Sequence, residues 1–357
     1  MPISETKSEI AVRDYLRAVT TTEAAPKMHL CGGGAVGALE KKLKVHYGMK
    51  YALCVSNATT GLLAIAMALE LKEADFVTTP YTYGATISGW LFSGSRPIFA
   101  DIDVSTLTLD CDSVRRSLTP KIKAILVSDI YGIPHDTFGI RKVADEYGLW
   151  YISDSAQSLG ASRDNLPAGA LADALVISFT VGKTAFAGEG AAIVTDNASL
   201  YQKLVWFTQH PMRQKRELGL ALSNEFGLNA RIHPLAAVWA NASIENSLKK
   251  LEDHQKECFR VIDVLNRSGV TEGIDFASRR INPTFFRLTA SWKSGKTHES
   301  KLLDVLRVHG FQKSIEVPPV SLLYQQPAFL AQYARLLSNN VHCPQAERQV
   351  RSRFCLV

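Results

Sequence analysis

Lys183 stands in the stretch SFTVGKTAFAGEG (178–190), just beyond ALVISF, an apolar run with the length of a buried strand. A lysine amine attacks a carbonyl when it is held in place and partly deprotonated, and it clamps phosphate when it stays charged. The tripeptide Gly182-Lys183-Thr184 suggests the second role, as the tail of a P-loop. That loop needs a glycine five residues before Gly182, where this chain has Ile177 within the strand. The spacing leaves a nucleophile, with an ordinary solvated loop lysine as the alternative.

Three further stretches supply partners for such an amine. Asp154, in SDSAQSLGA (153–161), ends the apolar run LWYISD, so its carboxylate either caps a helix or meets a positive charge at the end of a strand. SNATTGLLAIAM (56–67) passes from YALCV into an apolar helical pattern, and backbone amides at such a helix start bind phosphate. Thr59 and Thr60 would add hydroxyls there, and Ser56 or Asn57 would cap the helix. Ser178 is another phosphate donor. Tyr83, in PYTYGAT (80–86), either stacks on a flat ring or packs in the core. A lysine, an aspartate, a phosphate cradle and an aromatic ring at one sheet edge are what pyridoxal phosphate (PLP) requires. The aldehyde takes the lysine, and a carboxylate on the pyridine nitrogen makes the ring a better electron sink.

These residues share an edge only if the runs before them are strands of one sheet. YALCV (51–55), DFVTTP, PIFADID, KAILVS, LWYISD, ALVISF and AAIVTD read as strands. Helical patterns such as TFGIRKVADEYG (137–148), stopped by Gly148, separate them. Such alternation predicts an α/β fold with right-handed crossovers, a mostly parallel central sheet flanked by helices, and ligands along its carboxyl edge. A long helical pattern, 233–254 and on towards Leu265, leads into a smaller C-terminal α/β domain with a strand TFFRLTASW (284–292) and a helix ESKLLDVLRVHG (299–310). The expected division is an N-terminal segment 1–30 packing near the small domain, a large PLP-binding domain 31–245, and a small domain 246–357.

Composition agrees with a globular enzyme of this size: 357 residues, 46% apolar and 21% charged. The net charge of +6, from 40 basic and 34 acidic side chains, is too mild to argue for nucleic acid. The basic run MRQKRE (212–217), with Arg213, Lys215 and Arg216, reads as a solvated loop in preference to a contact for a nucleotide diphosphate. CGGGAVG (31–37) satisfies G-x-G-x-x-G, but TTTEAAPKMHL before it is not a buried strand, so a flexible loop is favoured over a dinucleotide site. Six scattered cysteines without a CxxC pair predict no metal site and a reducing cytoplasm. The chain opens without a signal-peptide pattern, and no run reaches the roughly 18 apolar residues of a membrane span. A cytoplasmic protein with no membrane or nucleic-acid partner is expected.

At these residues the sequence resembles the DegT/DnrJ/EryC1/StrS family of PLP-dependent sugar and cyclitol aminotransferases. The resemblance runs from about Gly34 to Ala240 and more weakly to near Glu347. SNATTGLLAIAM is similar to the family's N-G-T-x-A-L phosphate turn. PYTYGAT with PIFADID is similar to P-x-x-T-F-x-A-T and P-V-F-x-D-I-D. SDSAQSLGA resembles E-D-A-A-Q-x-x-G-A, and SFTVGKTAFAGEGA resembles S-F-x-x-x-K-x-x-x-x-G-E-G-G.

The resemblance implies a fold type I PLP-dependent transferase. Lys183 would be the Schiff-base lysine, Asp154 the partner of the pyridine nitrogen and Gln157 that of the ring hydroxyl. Ser178 and the Ala58-Thr59 turn would bind the phosphate, and Tyr83 would stack on the ring. FGLNARIHPLAAVWA (226–240) is similar to the family's G-x-N-x-R segment, which would send Asn229 to the cofactor phosphate of the neighbouring subunit of an obligate homodimer, with the CGGGAVG loop near the subunit interface.

The implied reaction moves an amino group from an amino acid, glutamate or glutamine, to a keto sugar, nucleotide-linked or not, or to a keto cyclitol, in specialised-metabolite or cell-surface sugar biosynthesis. Elimination or isomerisation on the same scaffold, or a non-catalytic PLP-binding regulatory role, are the alternatives. Ala58 and Ala191 replace family glycines, Ser153 a glutamate and Asp129 a histidine. The chain stops at Val357, soon after the C-P-x-A-E segment at Cys343–Glu347, so a trimmed C-terminal domain is expected. Retention of Lys183, where the family's dehydratase branch has histidine, favours transamination.

Overall fold

The computed structural model describes residues 6–21, 28–220, 226–272, 275–276, 279–293, 298–317, 320–337 and 341–357. Residues 1–5 and 22–27 of the N-terminal segment lie outside the described residues. Helices α1 (Lys7–Thr21) and α2 (Gly34–Tyr47) precede β1 (Tyr51–Val55). There follow α3 (Ala58–Ala68), β2 (Asp75–Thr78), α4 (Ala85–Phe92), β3 (Arg96–Phe99), α5 (Cys111–Ser117), β4 (Ile122–Ser128), α6 (Thr137–Tyr147) and β5 (Trp150–Asp154). A short hairpin, β6 (Ser162–Arg163) and β7 (Leu166–Pro167), leads to β8 (Ala174–Ser178) and β9 (Ala191–Thr195). Helices α7 (Ala198–Thr208), α8 (Pro211–Leu218) and α9 (Pro234–Arg267) come next.

All seven expected strands join one sheet, in the order β1-β9-β8-β5-β4-β2-β3. β9 runs antiparallel to β1 and to β8, and the remaining pairs are parallel. Six strands therefore run the same way and end at one edge. The two-residue period of each strand divides its side chains between two cores. Leu53, Val55, Val176 and Ile193 pack on one face under α3, α4 and α7. Cys54, Leu175, Ile177 and Val194 pack on the other with Leu39 and Leu43 of α2 and Ala237 of α9. Burial on both faces is why these strands appear in the sequence as continuous apolar runs.

Helix ends carry local signals. Asn57 caps α3, and Asp136 caps α6, which ends on the left-handed Gly148. α9 begins at Pro234 behind a His233 cap and runs unbroken for 34 residues. The division drawn at 245/246 falls within it. Its first half packs on the sheet through Ala237, Ala240 and Ile244. Its last turns, with Val261, Ile262 and Leu265, enter a second core. That core also holds Leu302 and Leu306 of α10 (Glu299–Val308) and a sheet of β10 (Thr271–Glu272), β12 (Leu288–Trp292), β14 (Arg353–Leu356) and β13 (Ile315–Glu316). β11 (Ile281–Asn282) pairs with β6, stitching this part of the chain to the large sheet's loops. α1 lies along α9.

Two expectations change. The strand read at 284–292 begins only at Leu288. The basic run 212–217 is part of helix α8, not a loop, and Arg213 is buried in it. The Arg213 guanidinium bonds both Glu40 carboxylate oxygens at 2.9 Å and Glu217 at 2.9 Å. Gly32 of the glycine-rich loop lies against that guanidinium, where any Cβ would collide. No strand precedes this loop among the described residues, as a dinucleotide fingerprint requires, and Gly32 and Gly37 serve close packing.

Candidate active site

The loops that follow the parallel strands meet around one cavity of about 820 Å³. Thr59 and Thr60 follow β1, Tyr83 and Ala85 follow β2, and Ile130 and Tyr131 follow β4. Asp154 and Gln157 come from β5, and Ser178 and Lys183 from β8. The structure thus brings Ala58, Thr59, Tyr83, Asp154, Gln157, Ser178 and Lys183 to a single edge.

Lys183 sits in the turn after β8, its amide bonded to the Thr180 carbonyl at 3.2 Å. Its Nζ lies 4.0 Å from the centre of the Phe286 ring. Burial pushes the ammonium below the ordinary lysine range; the charge of Asp154 opposes this and that of Arg287 adds to it. Asp154, 9% exposed, accepts a 2.7 Å bond from Thr86 Oγ1 and a 3.1 Å bond from the Ala156 amide. Burial raises its carboxyl above the ordinary aspartate range, against the pull of those two bonds and of Lys183. A buried carboxylate of this kind gains most from a cationic partner.

The start of α3 is equally defined. Asn57 Oδ1 accepts from the Thr60 amide at 2.8 Å and from Thr60 Oγ1 at 2.9 Å, which fixes the start of α3. The Ala58 and Thr59 amides have no intrahelical acceptor and front the cavity. The Ser178 hydroxyl, 2.8 Å from that of Thr180, belongs to a residue lining the same cavity. Gln157 Oε1 accepts from the Tyr131 amide at 2.7 Å, which leaves its NH2 group available. Tyr83 is 65% exposed, at the cavity rim. This donor set fits PLP: an amine near a buried carboxylate, a helix start for phosphate and an aromatic at the mouth.

Asn229 lies elsewhere. It is exposed, with a positive φ of 47°, in a separate cavity of about 330 Å³ with His210, Pro211 and Arg231.

Sequence reasoning missed Thr86, Glu189, Phe286 and Arg287. Thr86 and Glu189 stood within stretches already singled out. Phe286 and Arg287 were hidden inside an apparent strand. The departures acquire partial explanations. Ala58 occupies the first turn of a helix, where alanine is a better former than glycine. Ala191 pairs with Val55 and Ser178 in regular β9, and its methyl is fully buried in the core under α3. The Ser153 hydroxyl turns inward to Ser155 at 2.9 Å.

A mostly parallel sheet with a lysine, an aspartate and a helix start at its carboxyl edge is the architecture of the fold type I PLP-dependent transferases. The chain belongs to the DegT/DnrJ/EryC1/StrS aminotransferase family, whose model matches residues 13–356. It is 26% identical over 311 residues to GDP-perosamine synthase of Escherichia coli O157:H7, covering 85% of this chain and 81% of that protein. It is 30% identical over 239 residues to 3-oxo-glucose-6-phosphate:glutamate aminotransferase of Bacillus subtilis (strain 168), covering 66% of this chain and 52% of that one. Several curated relatives are matched over about half of their length. In fold it is similar to NtdA of Bacillus subtilis, solved with bound cofactor PMP, with a TM-score of 0.75 and 22% identity over 97% of this chain and 77% of that one.

Proposed function

We propose that this protein is a PLP-dependent aminotransferase. It takes an amino group from an amino acid, glutamate or glutamine, and delivers it to a ketone on a sugar, nucleotide-linked or free, or on a cyclitol. The observation that carries this proposal is the shared cavity of Lys183 and Asp154 beside the start of α3. PLP, when bound, supplies the reactive carbonyl and the electron sink.

The chain's residues do the rest. Lys183 Nζ would hold the cofactor and, when free, would take and return the proton at the substrate carbon; burial lowers its proton affinity in the direction this needs. Asp154 opposes the positive charge on the ring nitrogen, with Thr86 fixing its orientation. Ser178, Ala58 and Thr59 hold the phosphate, Gln157 donates to the ring hydroxyl, and Tyr83 covers the ring. Asn229, which lines a different cavity of its own chain, serves the phosphate of a second subunit. The name of the second relative supports a keto-sugar acceptor and glutamate as donor, and that of the first supports a nucleotide-linked sugar.

The test is spectroscopic. The purified protein loaded with PLP should lose its visible absorbance on addition of glutamate or glutamine, releasing the corresponding oxo acid, and regain it with a keto sugar or cyclitol. Lys183→Ala should show neither change. Failure of every amino acid to convert the cofactor would exclude transamination.

A further inference from the structure

The segment Thr284–Arg287 is shaped to place two consecutive side chains in the cavity. In a strand, Phe286 and Arg287 would point to opposite faces. Here the chain bends instead. The Thr284 amide bonds the Gly132 carbonyl at 3.0 Å, and Thr284 Oγ1 bonds the Gln157 carbonyl at 2.6 Å. Phe285 adopts φ +50°, a costly conformation for a bulky residue, and its ring is buried against Phe259 and Phe276. Phe286 and Arg287 then both line the site. The Arg287 guanidinium lies 5.7 Å from the Phe286 ring centre and makes no ion pair with any described residue.

Sheet order separates the Arg287 backbone from the phosphate donors proposed above. The phosphate donors follow β1 and β8, whereas Arg287 is tied to Tyr131 after β4, with its amide 3.5 Å from the Tyr131 carbonyl. β5, carrying Asp154, lies between, so two strand spacings, roughly 10 Å, part β4 from β8. The cation therefore faces the part of the cavity left to the reacting molecule. Its planar fork matches an oxyanion better than it matches a neutral sugar hydroxyl.

We propose that Arg287 is a specificity-determining anchor for a carboxylate or phosphate on the reactant, either the α-carboxylate of the amino donor or an acidic substituent of the keto acceptor. This rests on the aminotransferase assignment above. The test compares the wild type with Arg287→Gln and Arg287→Lys. Glutarate and inorganic phosphate binding are followed by calorimetry, with and without PLP. The donor half-reaction is followed with glutamate and with benzylamine, which lacks a carboxylate. The acceptor half-reaction is followed with phosphorylated and neutral keto sugars.

Arg287→Gln should weaken glutarate or phosphate binding about tenfold or more, as loss of a charge-assisted bond does. It should slow the anionic member of one reactant pair while sparing its neutral counterpart, and Arg287→Lys should recover part of the loss. A deficit confined to glutamate identifies the donor carboxylate. One confined to the phosphorylated acceptor identifies an acidic acceptor. Unchanged anion binding in a variant that keeps its fold overturns the proposal. Because calorimetry also reads the cofactor-free chain, that result is distinct from a failure of the wild type to transaminate.

Discussion

Thr86 Oγ1 donates a 2.7 Å hydrogen bond to Asp154 Oδ2, linking the first turn of α4 to the end of β5. Thr82 Oγ1 lies 2.9 Å from Thr86 Oγ1, so the donor is itself held. The bond lowers the carboxyl's proton affinity against the effect of burial. Thr86→Val keeps the shape and removes the donor. The Asp154 carboxyl should rise further, and PLP should be held about tenfold more weakly, the worth of a hydrogen bond to a charged group. Equilibrium dialysis and a spectral pH titration of the loaded protein check both.

Asp154→Asn should separate stability from function. The folded-state carboxyl is raised above its unfolded value, so its contribution to stability is present at low pH and is lost as pH rises through the folded value. Above the unfolded value the apo wild type carries the cost of that upward shift, which Asn lacks. The apo variant should melt higher than wild type at pH 7, the difference closing below about pH 4. It should bind PLP poorly. Thermal denaturation at the two pH values settles the sign.

Asp129 and His135 form a pair with no side-chain exposure, Oδ1 to Nδ1 2.6 Å. Asp129 also accepts from Ser158 at 2.6 Å and Ser155 at 3.2 Å, bracing the turn that carries Asp154 and Gln157. Burial works against this carboxylate, but the charge and bonds of His135 outweigh it and hold the carboxyl below the ordinary range. Its contribution to stability is therefore complete above about pH 4 and is lost as pH falls towards the folded value. His135→Leu leaves a buried, unpaired carboxylate and should cost about 3–5 kcal/mol in urea denaturation at pH 7. Asp129→Asn should flatten the acid limb of the stability profile.

Gly132 has φ +80°, and a Cβ there would meet the Gln157 carbonyl at 2.8 Å and collide with the Thr284 hydroxyl. Gly132→Ala should cost about 1–3 kcal/mol of backbone strain, with more from the clash. Because the same contact holds Thr284–Arg287, the variant should also lose anion binding in the cavity. Denaturation and glutarate calorimetry read the two effects separately.

The lowered proton affinity of Lys183 sets a pH profile. PLP loading of the apo protein should quicken as pH rises and level off below the ordinary lysine value of about 10.4. Arg287→Gln removes one of the charges that lower it, so the profile should move to higher pH. Stopped-flow absorbance across a pH series measures the shift.

The fold and most of the site were legible because their causes are local. Strands buried on both faces are continuous apolar runs, and all seven were visible in the sequence. Residues just past such runs lie at a sheet edge, which placed Lys183, Asp154, Ser178 and Thr59 together. The domain division at 245/246 has no such local cause, because nothing marks where one continuous helix passes from one core to another.

Local sequence alone specified the candidate site, a lysine, a carboxylate and a helix start after predicted strands, since strand periodicity and helix-start chemistry act over a few residues. Strand order is a tertiary property: it puts Asp154 on β5 beside Lys183's strand, and it sets Tyr131, which holds the Arg287 amide, two strands from Lys183's. The tertiary structure alone buried Arg213, whose partner Glu40 is 173 residues away. It alone turned TFFR from an apparent strand into a bend, through bonds to Gly132, Tyr131 and Gln157. Long-range hydrogen bonds override local β preference there, and no sequence window contains both partners.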